Sequence, residues 1–391
     1  MQNTNRGNRV HIAIFGKTNA GKSTLINKIT NQNISLVSEV AGTTTDPVYK
    51  AMELLPLGPV VFIDTAGFDD NTTLGKLRLT KTAEILDKMD IAILLIAAEN
   101  LDNLKDEEEW LDKIKSKKKP FLIFISKIDL LENKKELQSK IENLEKKWKV
   151  KISIIEDIET VKKRIINSYD LKKEEFLIGD KIKTGDKVLL VAPQDIQAPK
   201  GRLILPQVQI LRDILDHGGI PTMVTLDNLE KGLEMNPDLV ITDSQVFAKV
   251  NPKVKKDIPL TSFSIIMARN KGDLKTFYNG AKKLENLKPN DRVLIAEACT
   301  HHSLKGDIAR EKIPELLRKK AGNLVIDNCA GKDFPKNLEG YDLVIHCGSC
   351  MLNRAETMSR IEKCDNIYIT NFGMAIAQLN GILDRVMEIF K

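Results

Sequence analysis

The chain has 391 residues, 42% of them hydrophobic and 29% charged, which is long for one core and predicts two or three folded domains. Its net charge of +6 comes from lysines interleaved with glutamates, so no basic stripe or acidic tail is present and nucleic acid is not called for as a partner. No apolar run reaches the length of a bilayer span, and Met1 to Asn8 lacks the apolar segment of a signal peptide, so a cytoplasmic protein with no membrane partner is expected.

From Arg9 to Tyr169 apolar runs alternate with helical patterns, as in a parallel sheet covered on both faces. Val10 to Phe15 reads as a strand and leads into Gly16-Lys-Thr-Asn-Ala-Gly21-Lys22-Ser23. This is G-x-x-x-x-G-K-S in its strand–loop–helix setting, the signature of a P-loop nucleotide site. Backbone amides along Gly16, Asn19, Ala20, Gly21 and on to Thr24 are placed to hold phosphate oxygens at the start of a helix. Lys22 is the candidate to neutralise the β- and γ-phosphates, and Ser23 to hold Mg2+.

A second buried strand, Pro59 to Ile63, ends in Asp64-Thr-Ala-Gly67. Here Asp64 is expected to reach Mg2+ through water and the Gly67 amide to sense the γ-phosphate. Between these motifs lies Ala41-Gly-Thr43-Thr44-Thr45-Asp46, a hydroxyl-rich loop in which Thr44 is the candidate second Mg2+ ligand. Phe121 to Ile125 leads into Ser126-Lys127-Ile-Asp129. A carboxylate at Asp129 can accept hydrogen bonds from guanine N1 and N2, which adenine does not offer, so GTP is the expected nucleotide. For the last base-contacting loop, Ser153 is the candidate.

These motifs resemble the Era/MnmE-like branch of the GTPases. The resemblance implies that Asn19 helps bind a K+ ion that plays the part of an arginine finger. Two departures stand out: Ser126 replaces the Asn of N-K-x-D, implying a weaker hold on guanine, and Phe68 stands where some GTPases place a water-orienting glutamine, implying slow hydrolysis. The mixed-sign stretches Lys115 to Lys119 and Glu132 to Lys149 read as solvated helix faces.

Around 171–184 the periodicity fades into charge and glycine, as in a linker. From 185 to about 264 a second alternation runs through Val188 to Ala192, Thr222 to Thr225 and Leu239 to Thr242. It carries no nucleophile, ligand set or phosphate loop, and His217, beside Gly218 and Gly219, reads as a helix-end contact to carbonyls. Such a domain suits assembly.

The third alternation, 265–391, holds all five cysteines: Cys299, Cys329, Cys347, Cys350 and Cys364. Two apolar runs end in soft ligands, Val293 to Cys299-Thr-His301 and Leu343 to His346-Cys347-Gly-Ser-Cys350. Ligands collect outside the carboxyl ends of strands in open α/β sheets, so the pair predicts one metal site. Cys299, Cys347 and Cys350 are the thiolate ligands, with His301 and His346 as possible additions. An iron–sulfur cluster with one open iron is the preferred reading; a closed Cys3His zinc site is the competitor. Glu297 and Asp327 are candidate labile ligands, His302 reads as a bystander, and Cys329 and Cys364 read as structural thiols.

Taken whole, the chain resembles the HydF family of FeFe-hydrogenase maturation GTPases. The resemblance rests on the P-loop GTPase motifs, the Ala198-Pro-Lys-Gly-Arg-Leu-Ile-Leu-Pro-Gln207 stretch and C-x-H…H-C-x-x-C. It implies that Cys299, Cys347 and Cys350 hold a 4Fe-4S cluster, with the two histidines not uniformly used, and that the middle domain forms a homodimer. It further implies a carrier that receives a diiron precursor from two radical-SAM maturases and passes it to apo-FeFe-hydrogenase. The expected architecture is therefore α/β, with three consecutive parallel-sheet domains: a P-loop GTPase fold at 1–170, a linker at 171–184, a dimerisation domain at 185–264 and a cluster-binding domain at 265–391. The alternative is an Era/MnmE-like RNA- or ribosome-associated GTPase with a C-terminal zinc domain.

Overall fold

The structure is a computed structural model that describes residues 6–31, 47–69, 73–130, 134–169, 177–193, 203–298 and 306–391. It divides into two compact units, Met1–Lys173 and Glu174–Lys391. Among the described residues, no helix is long and apolar enough to cross a membrane.

In the first unit the order is β1 (Val10–Phe15), α1 (Lys22–Thr30), β2 (Val48–Leu54), β3 (Gly58–Asp64), α2 (Thr73–Lys88), β4 (Ile91–Ala97), α3 (Lys105–Ser116), β5 (Phe121–Ser126), α4 (Lys134–Trp148), β6 (Ile152–Ile154) and α5 (Ile158–Ser168). They form one six-stranded sheet in the order β2-β3-β1-β4-β5-β6. The strands read as unbroken apolar runs because both faces are covered. Ala13 and Phe15 of β1, with Ala92, Leu94 and Ile96 of β4, feed the core on one face. The alternate residues Ile12, Ile14, Ile91, Ile93 and Leu95 feed the other. Only β2 is antiparallel, paired with β3 from Val48↔Asp64 to Leu54↔Gly58. Its pattern is not legible in the sequence, since it is an edge strand with a largely solvated mixture of side chains. Parallel pairing of β3, β1, β4 and β5 brings Asp64, Gly16 and Ser126 to the same carboxyl edge.

The second unit continues with β7 (Lys187–Val191), α6 (Leu205–Asp216), β8 (Ile220–Val224), α7 (Leu229–Leu233), β9 (Leu239–Thr242), α8 (Phe247–Val250), β10 (Leu260–Ser262), α9 (Phe263–Lys271), α10 (Leu274–Lys283), β11 (Arg292–Glu297), α11 (Ile313–Ala321), β12 (Val325–Ala330), β13 (Leu343–His346), α12 (Arg354–Glu362), β14 (Tyr368–Asn371), α13 (Phe372–Leu379) and α14 (Leu383–Met387). Two four-stranded parallel sheets result, β10-β9-β7-β8 and β12-β11-β13-β14. They share one apolar core, because Leu189, Val191 and Val240 of the first cluster with Leu294, Val344 and Ile345 of the second. Helix α9 bridges the arrangement. Its Ile265 and Ala268 enter the shared core, while Phe263 and Ile266 pack on the other face of β7 and β9 beside Ile210 and Ile214 of α6.

A helix buried on several sides has no polar stripe, so 263–271 carries no amphipathic pattern. The C-terminal segment forms two helices. Helix α13 is buried from Phe372 to Ala377 and stops at Asn380, with Gly381 in the left-handed region at φ 70° before α14 begins. Residues 177–184, the described part of the expected linker, are held in place. Ile178 is fully buried, the amides of Ile178 and Gly179 donate to Asp213 at 2.8 and 2.7 Å, and Arg269 forks onto Asp180 with two bonds of 2.6 Å.

Candidate nucleotide and thiolate sites

At the carboxyl edge of the first sheet, the chain leaves β1 through a loop with two left-handed residues, Asn19 (φ 61°) and Gly21 (φ 94°), and enters α1 at Lys22. The Lys22 ammonium folds back and donates to the carbonyls of Gly16 (2.9 Å) and Lys17 (2.8 Å). Burial pushes its pKa down, opposed by the nearby Asp64 and Asp69 carboxylates. Ser23 donates to Asp64 at 2.5 Å, and burial pushes the Asp64 carboxyl up against that bond and the charges of Lys22 and Lys50. A hydroxyl and a carboxylate thus meet beside an ammonium at the start of a helix, the donor set that suits Mg2+ and a polyphosphate. Thr44 lies outside the described residues, as do Thr43, Thr45 and Asp46.

The D-x-x-G loop lies directly on the P-loop. A Cβ on Gly67 would stand 2.3 Å from the Thr18 hydroxyl and 2.5 Å from its amide nitrogen, so only glycine fits there. Phe68 is buried and stacks on Trp110 at 5.5 Å, and Trp110 stacks in turn on Phe15 of β1 at 5.6 Å. Lys17 pairs with Glu107 (3.0 Å) and Asp106 (3.4 Å). Burial lowers the Lys17 pKa, but the two carboxylates outweigh it and raise it overall. Helix α3 therefore grips the P-loop through Glu107 and the D-x-x-G loop through Trp110.

The base-reading end is more open. Ser126 is buried and donates to the Ala20 carbonyl at 2.7 Å, tying the end of β5 to the P-loop. Lys127 has φ 56° and pairs with Glu99 at 2.9 Å, and Asp129 is exposed in the turn Ile128–Leu130. Thr24 is exposed on α1 and Ala20 is buried. Ser153 is not in a loop: it is buried within β6, in register with Phe124, and the residues that leave that strand at the carboxyl edge are Ile155 to Asp157. A three-residue strand is too short to show its ends by pattern, which explains the displacement.

In the terminal sheet β11 and β13 are adjacent and parallel, with Ala296 opposite His346. The Cys347 amide donates to the Ala296 carbonyl at 2.9 Å, and the Cys347 thiol accepts the Ala298 amide at 3.0 Å. Ala298 immediately precedes Cys299 in the chain; Cys299, His301 and His302 lie outside the described residues. Past Cys347, Ser349 adopts φ 56° and turns the chain, Cys350 follows half-buried, and Asn353 caps α12 by accepting from the Glu356 amide. Among the described residues no group of three or more His, Cys, Asp or Glu side chains forms a metal site.

His346, expected as a possible ligand, turns inward instead. It is 1% exposed, with Nδ1 2.9 Å from the Cys347 carbonyl and Nε2 3.0 Å from the Arg360 guanidinium. Burial, reinforced by Arg360, lowers its pKa to about 4. A neutral ring therefore donates from Nδ1 and accepts at Nε2, which is a structural role under the cysteine loop. Arg360 also donates to the Gly331 carbonyl at 2.7 Å and lies over Phe334. Asp327, proposed as a labile ligand, reaches back toward the amino end of the sheet, where Arg292 (2.8 Å) and the Tyr341 hydroxyl (2.9 Å) hold it. Glu297 stays at the carboxyl edge and pairs with Arg310 at 3.2 Å. Cys329 and Cys364 are buried, and loss of solvation raises their thiols to about 11 and about 12, as fits inert core cysteines. His217 contacts the Asp213 carbonyl at 2.8 Å, as expected for a helix end.

Sequence reasoning missed Asp69, Trp110, Glu107 and Arg360. None belongs to a spaced motif, and each acts on a partner distant in the chain.

Comparison with known proteins separates the parts of the chain. Residues 11–127 match the family described as 50S ribosome-binding GTPase. Similar proteins include the tRNA modification GTPase MnmE of Christiangramia forsetii, 35% identical over 127 residues (31% of this chain, 27% of that protein). GTPase Der of Mycoplasmopsis pulmonis is 38% identical over 121 residues (30% and 27%), and GTPase Era of Aquifex aeolicus 31% identical over 121 (30% and 40%). The chain spans about a quarter of the length of the first of these curated relatives. Among solved structures, Aquifex aeolicus Era bound to GDP and aluminium fluoride aligns with 57% of this chain and 97% of its own, at 21% identity and a TM-score of 0.37. Residues 177–272 match the hydrogen maturase F dimerization domain, and residues 275–389 the hydrogen maturase F tetramerization domain. With a GTPase domain followed by both of these modules, the chain belongs to the hydrogen maturase F (HydF) family.

Proposed function

We propose that this chain is a GTP-hydrolysing scaffold that holds a 4Fe-4S cluster and carries a diiron precursor to apo-FeFe-hydrogenase. The reading is supported by the two maturase-specific modules on one chain with a GTPase domain. The observation that carries the cluster assignment is the contact between the Cys347 thiol and the Ala298 amide, which brings the His-Cys-x-x-Cys loop to the residue next to Cys299. Cys347 and Cys350 are half-buried at a sheet edge, in contrast to the two core cysteines. A thiolate accepting a backbone N–H also suits a cluster ligand, whose potential such bonds tune.

In this reading Cys299, Cys347 and Cys350 hold the cluster, with the remaining position taken by His301 or by Glu297 on leaving Arg310. When bound, the cluster supplies an open iron to which an incoming metal unit attaches reversibly. His346 and Arg360 brace the loop from beneath. In the first unit, Lys22 and the amides from Gly16 to Thr24 hold the phosphates. Ser23, Thr44 and Asp64 serve Mg2+, Gly67 senses the terminal phosphate, and Lys127 and Asp129 read guanine. Hydrolysis is slow because Phe68 stands in place of a water-orienting side chain, and K+ held by Asn19 accelerates it. The functional divisions remain 1–170, 185–264 and 265–391, and the diiron unit comes from two radical-SAM maturases.

Self-assembly is supported by the dimerization module and by the edge strand β8, where Ile220 is 52% exposed, with Val208 and Leu215 of α6 also exposed. An unpaired apolar edge of this kind suits the same strand from a second copy. The zinc-domain alternative is not favoured, because residues 275–389 match a maturase module.

Anaerobic reconstitution tests the central claim. A brown chain with acid-labile sulfide near four per chain, on the order of one cubane, supports it, whereas a colourless chain binding one zinc would sink it. Turnover compared in K+ and Na+ tests the role of Asn19: equal rates in the two salts would remove K+ from the mechanism.

A further inference from the structure

Asp69 belongs to no recognised motif, yet its carboxylate occupies the rim of the phosphate site. Its Oδ1 accepts both the Thr18 amide and the Thr18 hydroxyl, each at 2.7 Å. Thr18 lies in the middle of Gly16 to Gly21, and Gly67 packs directly against it. A terminal phosphate placed between the Gly67 amide and Lys22 therefore comes to rest beside Thr18, where the carboxylate stands. Phe68, between Gly67 and Asp69, is pinned by Trp110, so the backbone that presents Asp69 has a fixed root. Burial pushes the Asp69 carboxyl up, but the two Thr18 donors and the nearby Lys22 outweigh it and hold it below the usual carboxylate range. The group is thus an anion at neutral pH, and with Asp64 it is one of two carboxylates whose charge acts on Lys22.

We propose that Asp69 acts as an internal stand-in for the γ-phosphate: it competes with the terminal phosphate of GTP for Thr18 and the Lys22 field, so that it sets the preference between triphosphate and diphosphate. The inference rests on the nucleotide reading above. GDP leaves the Asp69–Thr18 contact in place. GTP adds a charged group beside it, and two anions at one rim repel until the carboxylate swings off Thr18. The displacement then reports the terminal phosphate to the D-x-x-G loop and, through Phe68 and Trp110, to α3. Asp69 is a specificity-determining residue in this account and takes no part in bond making.

The test uses the full chain with Mg2+ and two fluorescent probes, a labelled GDP and a labelled non-hydrolysable GTP analogue. Asp69→Asn keeps the size and the acceptor but removes the charge. It is expected to shift the ratio of the two dissociation constants toward the triphosphate by about tenfold, mostly through the analogue, with the gap narrowing at high salt. Asp69→Ala is expected to move the ratio in the same direction. A ratio within about twofold of wild type for both variants, or equal changes in the two affinities, overturns the proposal while leaving the GTPase reading intact. A wild-type chain that binds neither probe overturns that reading and the role of Asp69 with it.

Discussion

The amide of Ala298 donates to the thiol of Cys347 across 3.0 Å, joining positions 49 residues apart. The contact closes the seam between β11 and β13 at the point where the chain continues to Cys299. Cys347→Ser keeps an acceptor for that amide and removes the thiolate. Iron bound after anaerobic reconstitution should fall at least about tenfold, while GTP turnover, which depends on the Met1–Lys173 unit, stays at the wild-type rate. Iron and sulfide analysis beside a phosphate-release assay checks this; loss of both activities together would contradict separable sites.

Phe68 invites the substitution that would restore a glutamine to the D-x-x-G loop. The structure argues that it fails. Phe68 is 6% exposed and lies against Trp110, so Phe68→Gln places an amide in an apolar stack. The change should cost about 3 kcal/mol and leave hydrolysis no faster. Chemical denaturation with single-turnover hydrolysis decides it, and a faster turnover would refute the placement of Phe68.

Beneath the cysteine loop, Arg360→Met removes the donor to His346 Nε2 and to the Gly331 carbonyl. The orphaned, buried His346 acceptor costs about 1–3 kcal/mol, and the half-buried Gly331 carbonyl less. Thermal unfolding of the full chain should show the Glu174–Lys391 transition several degrees lower, on the order of 2–4 °C per kcal/mol, and the first unit unmoved.

Acid stability should depend on Asp180. Its carboxyl is held below the ordinary value of 3.8, mainly by the Arg269 fork. The folded form therefore binds a proton less readily than the unfolded one. The stabilisation is complete above the ordinary value and is lost as pH falls through the lower, folded one. Arg269→Met should cost about 1–2 kcal/mol at neutral pH and flatten the decline in stability below pH 4, on the order of that ordinary carboxylate value. Denaturant midpoints measured across the acid range would show an unchanged slope if the pair is inert.

At the edge of the middle sheet, Ile220→Lys puts a charge on the exposed rim of β8. A dimer paired along this strand should dissociate by at least about tenfold in affinity, as read by sedimentation velocity. An unchanged oligomer would place the interface elsewhere.

Much of this protein is written locally. The strand β1, the run Gly16 to Ser23 and helix α1 are contiguous, so one stretch of sequence encodes both the turn and the positively polarised helix end that suit phosphate. The same is true of β13 running into Cys347-Gly-Ser-Cys350, and of β4, whose unbroken apolar character reports burial on two faces. Periodicity is lost where burial has no preferred side, as in α9, and where strands are short or at an edge, as in β6 and β2. Only the folded chain could turn His346 inward onto Arg360, draw Asp327 back to Arg292, stack Phe68 on Trp110 and bring Asp69 to Thr18. A spacing along the chain fixes which side chains are close when one helix or loop joins them. Partners separated by dozens of residues are chosen by sheet register and core packing, and the orientation of their side chains follows from what surrounds them.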